Sequence, residues 1–134
     1  MTALSSLNTV ISITAGGTLT PVAGARNVDW NPGEVESYEL DDLDDDYINK
    51  DVSGRSGGGE VSLQMFTDFT SAGWVALKTL WTTPEKAACS ITWSDNAATQ
   101  PFSGIVKTLP VKAERGQPLL TDVKIEVAEK PTLV

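Results

Sequence analysis

The sequence contains no histidine, one cysteine and no long apolar run. The absence of histidine removes the commonest general base and the commonest metal ligand. Because Cys89 has no second cysteine to pair with, no intrachain disulfide can form, which favours a reducing compartment. The first residues carry no basic side chain ahead of an apolar stretch, so a signal peptide is not expected. Apolar runs reach only about four residues against the roughly 20 of a membrane-spanning helix, so we expect a soluble protein made in the cytoplasm.

Net negative charge is confined to the first half of the chain. The formal net charge is −8 over 134 residues. Residues 1–67 hold 11 acidic and 3 basic side chains, whereas residues 68–134 hold 7 of each. An acidic surface repels phosphate, so nucleic-acid binding through counterion release is not expected. The length fits a single domain covering residues 1–134 that needs no covalent staple.

Alternation of apolar and polar residues predicts β-strands with one buried and one wet face. The pattern is clearest over residues 60–66 and 121–127, and weaker strands are predicted at 10–14, 18–22, 25–30, 34–40, 89–93 and 102–113. In the 102–113 run, Gly104 and Pro110 predict a bend or bulge. In the 34–40 run, Glu34, Glu36 and Tyr38 share one face, which indicates an edge strand or polar surroundings on both sides.

Residues 70–81 change to helical spacing, with Trp74, Leu77 and Trp81 on one side. Thr70 or Ser71 is a suitable cap, and Pro84 follows the end. We predict one helix whose two tryptophans anchor it to a sheet. With a long irregular loop at residues 41–58, the order of elements indicates a mostly β, or α+β, domain.

Two features of the loop invite a ligand, and neither fits a known motif. Asp42, Asp44 and Asp46 have the spacing of a calcium-binding EF-hand, but Tyr47 and Ser53 stand where that loop needs glycine and glutamate. Two interpretations of the acidic run remain, a solvated loop and a looser divalent-cation site. The run GRSGGG at 54–59 opens into a strand and not a helix, so it is interpreted as a hinge, not a phosphate cradle.

No catalytic constellation emerges from the sequence, and we do not expect an enzyme. Cys89 has no histidine to activate it and occupies the apolar face of a strand, which indicates a small buried hydrophobe. Dense carboxylate pairs lie only in the loop, whereas a catalytic pair needs a rigid frame. A hydrolase is therefore disfavoured.

In their order and spacing, these segments resemble the major tail tube proteins of long-tailed, siphovirus-like bacteriophages. The resemblance covers roughly residues 10–133 and rests on no single motif. Its parts are an early hairpin, a strand that runs into the acidic segment 35–46, GGGEVSL at 57–63, DFTSAGWVALKTLW at 68–81, FSGIV at 102–106 and VKIEVAEKPT at 123–132.

The resemblance implies a sandwich- or barrel-like subunit with one helix and a long loop. Six copies would form a ring, and stacked rings would form a tube in the virion tail, assembled in the host cytoplasm. Its implied partners are further copies of itself and the tape measure, tail terminator and baseplate or tip proteins. DNA would pass through without specific binding, and no cofactor, metal or membrane is implied. There are two alternatives. One is a tube protein of the type VI secretion kind, and the other is a monomeric β-sandwich binding module that would use Trp30 as its exposed aromatic residue.

Two sets of residues are candidates for assembly. In the family that the chain resembles, the long loop contacts neighbouring subunits. In this chain, apolar side chains are spaced among the carboxylates of the loop, which indicates that the loop docks on a neighbour and becomes ordered on assembly. The alternative is a flexible linker without a docking role. The loop candidates are Asp41, Asp42, Leu43, Asp44, Asp45, Asp46, Tyr47, Ile48, Lys50, Val52 and Arg55. Candidates for the lumen are the polar faces of two strands, namely Glu60, Ser62, Gln64, Asp122, Lys124 and Glu126.

Overall fold

The computed structural model describes residues 9–40, 47, 50–93 and 98–134, and these contain ten strands and one helix. The predicted class, mostly β with one helix, is confirmed for these residues. The elements are β1 (Val10–Ala15), β2 (Thr18–Pro21), β3 (Ala25–Asn31), β4 (Glu34–Glu39), β5 (Lys50–Gly57), β6 (Glu60–Phe66), α1 (Ala72–Thr82), β7 (Ala87–Trp93), β8 (Ala98–Thr108), β9 (Val111–Lys112) and β10 (Leu120–Val127). No helix within these ranges combines the length and the hydrophobicity needed to cross a membrane.

Most strands join one antiparallel sheet in the order β2-β1-β7-β8-β10-β6-β3, with β9 also paired to β10. The alternating residues of its strands place their apolar side chains on one side, where Val61, Leu63, Val123 and Ile125 are buried. Helix α1 packs on this side against β1, β2 and β8. Strands β4 and β5 form a separate two-stranded sheet.

Helix α1 begins at Ser71, whose hydroxyl accepts a hydrogen bond from the Trp74 amide at 3.3 Å. The helix presses closely on the end of β2, because a Cβ atom at Gly73 would lie 2.9 Å from Cα of Val22. Glycine at this position therefore sets the distance between helix and sheet.

The prediction that both tryptophans of α1 are core anchors is wrong for Trp81. The buried face of the helix centres on Leu77 and Leu80, and the tryptophans lie at one edge of it. Phe69 packs edge-on against Trp74 with ring centres 5.2 Å apart, and Trp74 is 9% exposed. Trp81 is 54% exposed, because it faces an open groove near the end of the helix.

The irregularity predicted near Gly104 lies instead at Lys107. Along β10, Lys124 pairs with Thr108 while Ile125 pairs with Val106, so Lys107 is the extra residue of a bulge. Gly104 has a packing role: a Cβ atom there would lie 2.5 Å from Cγ2 of Ile125. The other predicted break is present, since Pro110 lies between β8 and β9.

The predicted irregular loop at 41–58 is wrong over its second part, because Lys50–Gly57 form strand β5. β5 has no apolar alternation that would reveal it, and its backbone groups are paired by β4 instead. Residues 41–46, 48 and 49 lie outside the described residues, which puts the aspartates of the calcium hypothesis outside them too.

Candidate assembly surfaces

The two predicted lumen strands lie side by side and present one continuous polar face. In the antiparallel register of β6 and β10, Gln64 is opposite Asp122, Ser62 opposite Lys124 and Glu60 opposite Glu126. Because residues that are directly opposite in a sheet point to the same side, all six side chains share the face that turns away from the core. The register thus joins the two predicted polar faces into one surface, and its place in the lumen stays a prediction.

Hydrogen bonds and ion pairs hold this polar face in a fixed pattern. The Gln64 amide donates to Asp122 Oδ1 at 3.1 Å, and the Ser62 hydroxyl donates to Glu60 Oε1 at 3.1 Å. Lys107, turned by its bulge, forms an ion pair with Glu126 at 3.1 Å. Such exposed pairs add little stability, so their main effect is to order the charges.

Strand β3 extends the same face, which the sequence pattern of β3 does not predict. Its pairing with β6 places Asp29 opposite Ser62 and Asn27 opposite Gln64, with Asn31 opposite Glu60. With Asp29 included, the face carries four carboxylates: Asp29, Glu60, Asp122 and Glu126. Lys124 lies at its border, where β8 ends. The surface is hydrophilic and acidic across three neighbouring strands.

The β4–β5 hairpin is exposed along both strands and on both faces. Val35 is 67% exposed and Val52 61% exposed, and they point to one side with Ser37, which pairs with Val52. The other side carries Glu34, Glu36 and Tyr38, with Asp51 directly across from Tyr38. A two-stranded ribbon with no covered face is at best marginally stable alone, so this hairpin is a surface suited to a partner.

Polar contacts tie the hairpin together where its register shifts. Near Glu36 the hydroxyl of Ser53 donates to the Glu36 carbonyl at 3.2 Å, and Gly54 adopts a φ of +82°. Arg55 lies 3.9 Å from the Glu36 carboxylate, and Lys50 is opposite Glu39 in the register. Arg55 and Lys50 thus already have acidic neighbours within their own hairpin, in addition to any contact across an interface.

The base of the hairpin is tightly packed. A Cβ atom at Gly59 would lie 2.8 Å from the Pro32 carbonyl oxygen and 3.0 Å from Cβ of Val127. Gly33 has a φ of +105°, and a Cβ atom there would clash with the carbonyl oxygen of Gly57. The glycine run predicted as a flexible hinge therefore includes a residue, Gly59, that is buried and fixed against its neighbours.

An open apolar groove lies beside the last turns of α1. Its volume is about 790 Å³, and its lining residues are Trp74, Lys78, Trp81, Thr82, Lys107, Thr108, Leu109, Pro110 and Lys124. Apolar side chains and three lysines line the groove, and none of the lining residues in the described part of the chain is a carboxylate. The sequence does not predict this groove, because Trp81 has the helical spacing of a core residue. The only signal for its exposure is that Trp81 follows Leu80 at the edge of the apolar face of the helix.

Cys89 is buried, as the sequence predicts, and its surroundings disfavour reactivity. Burial raises the pKa of the Cys89 thiol to about 12, and the backbone of Gly104 offsets this only in part. A neutral thiol is a poor nucleophile. Among the described residues there is also no group of three or more carboxylate or cysteine side chains placed to hold a metal ion.

Neither a protein-family model nor a curated protein sequence matches the chain. Solved structures do match over nearly the whole length. A chain in the tail of an empty GTA particle, refined with C6 symmetry, has a TM-score of 0.78 at 11% identity and covers 98% of this chain and 99% of its own.

Chains of two other particles give similar matches. A chain in the extended sheath-tube complex of an extracellular contractile injection system (PVC) has a TM-score of 0.72 at 12% identity, covering 98% of this chain and 93% of its own. A chain in the six-fold symmetrised baseplate of the anti-feeding prophage has a TM-score of 0.72 at 9% identity, covering 100% of this chain and 97% of its own. The chain therefore has the fold of subunits found in these tail, sheath-tube and baseplate assemblies.

Proposed function

We propose that this chain is a tail tube subunit of a long-tailed phage or phage-like particle. Six copies form a ring, and rings stack into a tube that conveys DNA. The observation that carries the proposal is the match of the whole chain, end to end, to a chain of a six-fold symmetric tail. Stacked rings need unlike surfaces that meet head to tail and propagate. The net charge of −8 over residues 1–67, against no net charge over residues 68–134, is compatible with two such unlike surfaces.

The acidic face of β3, β6 and β10 is proposed to line the lumen. Its carboxylates Asp29, Glu60, Asp122 and Glu126 repel DNA phosphates, whose adhesion to proteins depends on lysine and arginine. A polyanion then passes without sticking, which agrees with a chain that carries a net charge of −8. The chain needs no cofactor or catalytic residue for this role.

The β4–β5 hairpin is proposed as the main assembly arm. Both of its faces are exposed in the single chain, and Val52 and Tyr38 are 61% and 48% exposed. Burying these side chains on another subunit gains hydrophobic stabilisation that the isolated chain lacks. Residues 41–46 and Ile48, which lie outside the described part of the chain, are proposed to take part in the same contact.

Tube ends require different partners from the tube wall. We propose tape measure, tail terminator and baseplate or tip proteins as the partners at these positions. The support is that the fold recurs in baseplate and in sheath/tube terminator structures. A membrane partner is not part of the proposal.

Electron microscopy of the concentrated protein tests the proposal. Purified protein at increasing concentration, in low and in high salt, is expected to form rings or tubes with six-fold end views. A species that stays monomeric at millimolar concentration in both salts contradicts it and favours the rival, a monomeric β-sandwich binding module. Light scattering on the same samples gives the mass of the assembled species.

The second candidate is the inner tube of a contractile machine, of the injection or type VI kind. The match to a chain of an extended sheath-tube complex favours it. Microscopy of the native particles distinguishes the two, because a contractile machine has a second protein layer around the tube. A tube of one layer contradicts this second candidate and leaves the first.

A further inference from the structure

The groove beside α1 has an apolar centre that the single chain leaves uncovered. Trp81, with 54% of its surface exposed, lines the groove together with Leu109 and Pro110. Large exposed aromatic side chains in a concave surface are typical of interaction sites. Trp81 is not part of the hydrophobic core, and about half of its surface is available for a contact outside the chain.

The charged residues that line the groove are basic, although the protein is acidic. They are Lys78, Lys107 and Lys124, and none of the described lining residues is a carboxylate. Lys107 is paired with Glu126 at 3.1 Å. Within the described ranges neither Lys78 nor Lys124 forms an ion pair. The groove is therefore suited to an apolar or aromatic group flanked by carboxylates.

One surface of the same chain has that chemistry. On the β4–β5 hairpin, Tyr38 is 48% exposed and has Asp51 directly opposite it on β5. Glu36 and Glu34 precede it on the same side of β4, two and four residues away. The hairpin face thus places one aromatic ring among three carboxylates. In the single chain both surfaces stay exposed, so neither covers the other.

We propose that the groove of one subunit binds the acidic hairpin face of a second copy. Tyr38 packs against Trp81 and Pro110, and the carboxylates beside Tyr38 face Lys78. This contact rests on the proposed tube function, and it identifies the groove as the surface that receives the β4–β5 hairpin. Because groove and hairpin are different surfaces of one chain, the contact is head to tail and repeats without closing on a pair.

Disulfide trapping tests the contact directly. Two variants, Tyr38→Cys and Trp81→Cys, are mixed in equal amounts at a concentration high enough to form tubes despite the loss of the two rings, and are then oxidised. We expect a covalent dimer that requires both variants, while the buried Cys89 thiol, 3% exposed, stays out of the reaction. The matched control replaces Trp81→Cys by Val75→Cys, since Val75 lies on the same helix, is 49% exposed and does not line the groove.

The outcomes separate this contact from the tube itself. Wild-type protein that never assembles overturns the proposed function and this contact with it. Tubes in which the 38–81 pair is trapped no better than the 38–75 pair overturn the contact alone. They would also indicate that the groove takes another occupant, such as a different protein of the particle.

A charge reversal gives a second measurement that does not depend on cysteine. Lys78→Glu places a carboxylate among those of the hairpin, and we expect the critical concentration for assembly to rise about tenfold or more. The control is Lys86→Glu. Lys86 does not line the groove, and its Nζ lies 3.3 Å from Oε1 of Glu129. An equal effect of both reversals, or none from Lys78→Glu, overturns the proposed contact.

Discussion

Gly104 of β8 and Ile125 of β10 pack so closely that a Cβ atom on Gly104 would lie 2.5 Å from Cγ2 of Ile125. The pair sits next to the bulge at Lys107, where the two strands change register. Ile125 is 1% exposed, so it has no free space to move into. The glycine is therefore required by packing, because its own φ is not in the left-handed region.

The first prediction concerns this pair. Gly104→Ala should lower the free energy of unfolding by about 1–3 kcal/mol, the usual cost of overpacking a core. Urea unfolding followed by tryptophan fluorescence measures it. The control is Gly57→Ala, a strand glycine whose added Cβ meets nothing within 4 Å. A loss at Gly104 no larger than that at Gly57 would contradict the packing argument.

The two tryptophans of α1 should behave oppositely. Trp74→Ala removes a buried ring and should cost about 3–5 kcal/mol of unfolding free energy. Trp81→Ala changes a side chain that is 54% exposed and should cost less than about 1 kcal/mol. The Trp81→Ala protein should nevertheless assemble poorly, because it loses the centre of the groove. Denaturation and assembly assays on both variants check this, and a large stability loss at Trp81 contradicts it.

Cys89 should be nearly unreactive in the folded protein. Its thiol pKa is raised to about 12 by burial, so the thiolate fraction at pH 8 is about a thousandfold below that of a free cysteine. The raised pKa also stabilises the fold fully below the ordinary thiol pKa, and this stabilisation is lost as the pH rises towards 12. Alkylation by iodoacetamide, with and without denaturant, measures the rate. Equal rates in both conditions would contradict a buried thiol.

The lumen proposal predicts a change in DNA binding. Tubes carrying Glu60→Lys and Asp122→Lys should retain short DNA in a sedimentation assay at low salt, whereas wild-type tubes should not. Retention should fall steeply as salt increases. Glu114→Lys is the control, since Glu114 is not part of the polar face. Its carboxylate forms an ion pair with Lys112 at a distance of 3.3 Å. DNA retention by the control but not by the double variant would place the lumen elsewhere.

Hydrogen exchange should show the hairpin as the part that changes on assembly. In the free subunit, amides of β4 and β5 should exchange faster than those of β6, because both hairpin faces are exposed while Val61, Leu63 and Met65 are buried. In tubes the hairpin amides should gain protection. Identical exchange in both states would leave the hairpin a simple projection without an assembly role.

The sequence was informative wherever one face of an element meets the core. Glu60–Phe66 is a strand over the predicted range, since Val61, Leu63 and Met65 alternate with polar residues and are buried. The six polar residues of β6 and β10 were likewise predicted to face away from the core, although only the register shows that they are adjacent.

The sequence was uninformative where another backbone or another surface decides the structure. β5 reads as a polar, glycine-rich loop, because its pairing with β4 depends on backbone hydrogen bonds and not on side-chain burial. The bulge at Lys107 depends on the register of β10, which periodicity within β8 does not reveal. Trp81 has the spacing of a core residue, and its exposure depends on where the neighbouring strands end.

Because the base of the hairpin is packed at Pro32, Gly33 and Gly59, a small change there is amplified along the length of the hairpin. An arm of about seven residues extends roughly 20 Å, so a tilt of about 10° at its base moves the far end by about 3–4 Å. That displacement exceeds the tolerance of a side-chain contact. A Cβ atom at Gly59 would meet the Pro32 carbonyl oxygen at 2.8 Å and force such a tilt. Gly59, which touches no neighbouring subunit in this scheme, thus controls how accurately one copy reaches the next.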